Sequence, residues 1–200
     1  MDNKISIKQI LVDLISIWPQ IQKKHKGSEL YAELISYLSK ENYYGDEDIP
    51  YPTLKQIEAN TKLGNYQIRK QLKDLYEEVL EYPYKTTLDF SKVEIYFHAE
   101  YFKTYTTFKT YNLKNLPRVG ENLNLPFLEA KMGIKFFYVE DIKHVFTRNI
   151  HTIDISIKGG FYNSYWYYRK HKALEYGEIG MLEQYDLNEY ELKKKVGLMY

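Results

Sequence analysis

The sequence predicts an α+β fold. Two periodicities and one pattern of breaks predict it. Before residue 80 apolar residues recur three and four apart, the spacing of one helix face. After residue 91 the spacing shifts to strict alternation in segments rich in β-branched and aromatic residues. Beyond residue 116, Gly-containing turns cut the chain into short strand-length pieces. The expected organisation is an N-terminal helix and linker over 1–27, a helical region closed by a hairpin over 28–113, and a β-rich unit over 114–200, built as a small antiparallel barrel or a curled sheet.

Ile7, Ile10, Leu11, Leu14, Ile15 and Trp18 place a helix over 5–17. It should stop near Pro19, because the residue before proline is pushed out of the helical region. Its stripe is expected to dock on the chain's own core, with a dimer interface as the alternative. Lys23-Lys-His-Lys26 reads as a solvated basic loop or a contact to a DNA backbone. A second helix follows over 28–40, with Leu30, Leu34, Tyr37 and Leu38 facing inward. Residues 41–51 form a polar loop; Gly45-Asp-Glu-Asp48 lacks the alternating ligands of a calcium loop.

The segment 52–80 is the most informative. Thr53 and Gln56 have the spacing of a capping box, which opens a helix over 54–62 with Leu54, Ile57 and Thr61 on one face. Ile68, Leu72, Leu75 and Val79 then mark the buried stripe of a helix over 65–79, with Gly64 or Asn65 at its cap. This succession, with Ile57 inside the first helix, Leu63 at the turn, and Ile68, Leu72 and Leu75 in the second, resembles the helix-turn-helix of winged-helix DNA-binding proteins over about 30 of the 200 residues. Glu58 stands where that family usually has Ala, and Lys62 where the turn usually has Gly.

The resemblance implies a winged helix-turn-helix over 28–113 whose partner is double-stranded DNA. Asn65, Tyr66, Gln67, Arg69, Lys70 and Lys73 lie off the buried stripe and would face the major groove. Asn65 and Gln67 suit adenine edges and Arg69 suits guanine. Lys55, Lys70 and Lys73 suit phosphates, which position a protein without specifying sequence. The wing would lie within 84–98, where Lys85 and Lys92 would hold the backbone.

The strands expected after it cover 92–98, 101–111, 122–128, 135–146 and 150–158, with Gly159-Gly160 as a break. The aromatic run Phe161-Tyr-Asn-Ser-Tyr-Trp-Tyr-Tyr168 is read as alternate rings filling the β core, with stacking on exposed bases as the alternative. The tail over 187–200 suits a short helix.

Composition narrows the function classes. There are 28 basic and 27 acidic side chains, so DNA affinity must come from a local patch. Tyr is over-used, with 22 residues, which suits half-buried rings and partner surfaces alike. The absence of Cys excludes disulfides, thiolate zinc sites and Cys catalysis. No run has the length of a membrane span and no signal-peptide pattern opens the chain, so a cytoplasmic protein is expected. No cofactor or metal site is expected. His144 and His151 can approach across the turn at Arg148, and Asp141-Ile-Lys143 matches half of a metal-dependent nuclease site. Neither completes a catalytic constellation, so no enzyme is expected. The function that emerges is a DNA-binding regulator of transcription or replication, possible homodimers forming through the N-terminal helix or the C-terminal unit. The alternative is a protein-interaction module on the same scaffold.

Overall fold

The computed structural model describes residues 5–82 and 86–199. The fold is α+β. Helices α1 (Ile7–Ser16), α2 (Trp18–Lys24), α3 (Ala32–Leu38), α4 (Leu54–Asn60) and α5 (Asn65–Leu80) precede the first strand. Strands β1 (Lys92–Tyr101), β2 (Thr104–Thr110), β3 (Asn122–Asn124), β4 (Phe136–Thr147) and β5 (Ile150–Gly159) form one open sheet in the order β2-β1-β5-β4-β3. A short helix, α6 (Glu129–Met132), separates β3 from β4, and α7 (Ser164–Glu175), α8 (Glu183–Asp186) and α9 (Glu189–Lys195) follow the sheet. By internal contacts the chain divides into two compact units. One comprises Met1–Glu94 with His144–Ile153; the other comprises Ile95–Lys143 with Asp154–Tyr200.

In the first unit, five helices share one core. Ile10, Leu11, Leu14 and Ile15 of α1 join Leu34 and Leu38 of α3, Ile57 of α4, and Ile68, Leu72 and Leu75 of α5. The apolar stripe of α1 is therefore used inside its own unit, along α5. Pro19 does not end the helical region. It occupies the first turn of α2, where its missing N–H is not required. Helix α3 is shorter than its sequence pattern: Leu30 lies ahead of it and is exposed, and its carbonyl accepts from Gln71 Nε2 at 2.7 Å. Val79 is half-buried, so the stripe of α5 ends at Leu75.

The remainder of this unit is the turn between β4 and β5. Arg148, with φ 57°, donates its N–H to the Ser16 carbonyl at 2.6 Å, and its own carbonyl accepts from Gln20 Nε2 at 2.6 Å. Gln20 Oε1 also accepts the Asp89 N–H at 2.7 Å, so one side chain clips the approach to β1 and the hairpin turn together.

In the second unit, β1 pairs antiparallel with β2 from Ile95↔Thr110 to Tyr101↔Thr104, and the facing rings of Phe97 and Phe108 stack at 4.9 Å. Of the segment read as a wing, 84–98, residues 84 and 85 lie outside the described residues, and 92–98 are the start of β1, an inner strand flanked by β2 and β5. The barrel alternative is likewise not formed; the sheet has edges at β2 and β3. The strand expected over 122–128 is only three residues long. Pro126 has no N–H for a ladder, and a 3-10 turn at Pro126–Leu128 replaces it.

The largest correction concerns the aromatic run. It forms a helix, α7, instead of filling a β core. Gly160, with φ 108°, turns the chain out of β5, and Asn163 caps α7 by accepting the Trp166 N–H at 3.0 Å. Trp166 and Ala173, seven residues apart, then pack with Ile179, Leu192 and Val196. The tail forms α9 as expected, with Asn188 and Glu191 making a reciprocal capping box.

Candidate nucleic-acid interface

The surface built by α4, its turn and α5 begins with backbone satisfaction. Thr53 Oγ1 accepts the Gln56 N–H at 3.3 Å, and Gln56 Oε1 accepts the Thr53 N–H at 2.8 Å, so the predicted capping box is formed. Thr61 Oγ1 donates to the Ile57 carbonyl at 2.8 Å, closing α4 before the turn. Two further side chains cap α5. Gln67 Oε1 accepts the Gly64 N–H at 2.9 Å, and Glu58 Oε1 accepts the Asn65 N–H at 3.0 Å. Glu58 therefore reaches across the turn and fixes the start of the next helix, a role that Ala cannot fill. Lys62 keeps a negative φ and pairs loosely with Glu33 at 4.0 Å.

Three of the buried positions lock the rotation of α5: Ile68, Leu72 and Leu75. Gln71, 6% exposed, adds the bond to the Leu30 carbonyl, while its Oε1 is buried without a partner among the described residues. With that side held inward, Tyr66, Gln67, Arg69, Lys70 and Lys73 are all exposed, and Asn65 is half-exposed. Tyr66 is 79% exposed. Asn65 Oδ1 accepts from Arg69 Nε at 2.6 Å, so these two predicted base readers are oriented as a pair. Lys55 is exposed on α4.

Charge along α5 runs against what helix stability alone favours. No acid lies in its first turn and no base in its last. Arg69, Lys70 and Lys73 come first, in the second and third turns, whereas Asp74, Glu77 and Glu78 follow. A helix dipole prefers the reverse order. Glu78 is held at the far end by Lys24, by Thr86 at 3.3 Å and by His25 at 3.5 Å. Burial alone would raise its pKa, but these partners together hold its carboxyl below the usual range.

The structure does not gather every predicted residue. Lys85 lies outside the described residues, and Lys92 pairs with Glu94 at 3.0 Å. No family model, curated protein or solved structure matches this chain. The surface rests on its own geometry.

Elsewhere, His144 Nδ1 and His151 Nε2 meet at 2.7 Å, beside the Phe146 ring. Asp141 and Lys143 lie exposed on β4, and no group of three or more His, Asp or Glu that could hold a metal occurs among the described residues. Within the described residues no helix is long and apolar enough to cross a membrane.

Proposed function

We propose that the chain binds duplex DNA through α4, its turn and α5, and acts as a regulator of transcription or replication. On this reading α3, α4 and α5 are the helical part of a winged helix-turn-helix, and α5 is the helix that enters the major groove. The observation that carries it is the outward face of α5, where Tyr66, Arg69, Lys70 and Lys73 are exposed on a helix whose opposite face is fixed by a closed core. The reversed charge order supports it. The cations of the second and third turns put positive charge on the part of the helix that a polyanion would meet.

The hydrogen bonds refine the roles. Arg69 uses Nε on Asn65, which leaves its terminal nitrogens to meet the paired acceptors of guanine. Gln67 has one amide atom committed to Gly64, so reading adenine with both atoms requires release of that cap. Lys55, Lys70 and Lys73 serve phosphates. Because the apolar face of α1 is used internally, pairing of two copies on a palindromic site falls to the C-terminal unit.

The test is a gel shift with selection from a mixed genomic duplex pool, across a salt series. The expected result is salt-sensitive binding that enriches a sequence. Arg69→Ala with Lys73→Ala should weaken it and reduce the salt slope by roughly one for each phosphate no longer neutralised. Unchanged affinity and slope would overturn the assigned face. The second reading, a protein-docking surface, is favoured by Glu77 and exposed Leu80, which continue the same helix; absence of duplex binding at low salt would select it.

A further inference from the structure

The second unit contains a cleft of about 690 Å³, within the range of small-molecule sites. A chain of polar groups lines it. Lys158 donates to Glu140 Oε1 at 2.7 Å, Tyr167 donates to the same oxygen at 2.9 Å, and the Tyr138 hydroxyl lies 3.1 Å from that of Tyr167. Both bonds fall on one carboxylate oxygen. Burial opposes the charge of Lys158, but the Glu140 carboxylate outweighs it and raises the ammonium above its ordinary range. Tyr101 also lines the cleft, and its ring crosses Gly159 so closely that a Cβ there would lie 2.3 Å from Cδ2.

Phe102 is the least expected feature. It is the first residue of the two-residue turn between β1 and β2, with φ 51°, and it is 80% exposed. A turn with a positive φ at that position alone favours Gly. A bulky ring held there is strained and solvated at once, and residues in such conformations cluster at functional sites. Lys103 follows it, and Lys170 of α7 lines the same cleft. Glu140 and Lys158 are paired within the cleft, as are Glu189 and Lys193 at 2.5 Å. Lys103 and Lys170 have no ion pair among the described residues.

We propose that this cleft binds a nucleotide, with the base stacked on Phe102, the phosphate met by Lys103 and Lys170, and base N–H groups received by the second oxygen of Glu140. Rings take any base face, and lysine ammonium groups meet a phosphate as point charges. A carboxylate accepts the exocyclic amine of a base. The same chemistry is offered by a free mononucleotide and by a nucleotide of a single strand. The site is separate from α5 and does not depend on duplex binding.

Equilibrium dialysis of the full chain against adenosine monophosphate, and against a hexamer of deoxyadenosine, tests it directly. In a Trp18→Phe variant, Trp166 is the remaining indole; it lines the cleft under Lys193, 5.3 Å from its ring, and should report binding by a saturable fluorescence change. Lys103→Glu with Lys170→Glu should weaken binding at least tenfold, as should Phe102→Ala. Lys131→Ala, exposed on α6 outside the cleft, should leave it unchanged. Tighter binding of the monophosphate identifies a free nucleotide as ligand, and tighter binding of the hexamer identifies a single strand. No binding of either at low salt in dialysis, or binding untouched by the cleft variants, would overturn the proposal.

Discussion

Glu58 shows how one side chain can change the meaning of a motif. Read as a residue type, it interrupts a position that packs best when small. Folded, it spans the turn and accepts the first amide of α5 at 3.0 Å, so the helix that presents Arg69 and Lys73 begins at a fixed point. Removing a cap of this kind costs about 1 kcal/mol. Glu58→Ala should therefore lower unfolding stability in urea by that amount and also loosen the start of α5, visible as faster amide exchange at Asn65 and Tyr66. Thr53→Ala, which removes the cap of α4 alone, should lower stability similarly without affecting those amides. Equal protection at Asn65 in both variants would show that Glu58 does not hold the turn.

At the scale of elements, strain and fitness separate cleanly in the β1–β2 turn. A side chain at positive φ costs roughly 1–2 kcal/mol, and replacing it with glycine relieves that strain at the expense of greater freedom in the unfolded chain. Phe102→Gly should leave stability unchanged or raise it by up to about 1 kcal/mol, measured by denaturant unfolding. A clear fall in stability would show that the edge contact of Phe102 with Tyr101, at 4.5 Å, supports the fold. The sequence made the long elements legible because their periods were unbroken: α1, α4, α5, β1, β4 and β5 all lie within a few residues of their expected bounds. It hid α7, because Tyr and Trp favour strands locally and the deciding contacts, Trp166 and Ala173 onto Leu192 and Val196, come from distant residues. It hid α2 behind Pro19, which reads as a stop and acts as a start. The outward side chains of α5 were legible from the stripe they avoid. The Glu140–Lys158–Tyr167 network was not, since it needs the neighbouring of β4 and β5 and the placement of α7.

For the molecule as a whole, the two histidines with shifted titration lie in the helical unit. His25 is held below its ordinary range, first by burial, and His151 likewise by burial and then by the charge of His144. Both belong to the unit that contains the expected DNA-binding surface. A histidine with a depressed folded value binds fewer protons folded than unfolded just below pH 6.5, so stability rises with pH there and is lost as pH falls. Glu78, also depressed, adds a loss of the same sign at still lower pH. Unfolding midpoints should fall between about pH 7.5 and about pH 5, and His25→Gln with His151→Gln should flatten that dependence. A pH-independent midpoint in the parent chain would remove both histidines from this account.

The turn at Arg148 bears on how the chain is made. The helical unit takes its closing piece, residues 144–153, from far along the sequence, and Ser16 and Gln20 wait for their hydrogen bonds to Arg148 until that piece arrives. During synthesis the residues of the helical core emerge first, and the 49 residues of 95–143 must be translated before the Arg148 turn can clasp them. A chain broken off midway would carry the exposed face of α5 without the clasp at Arg148.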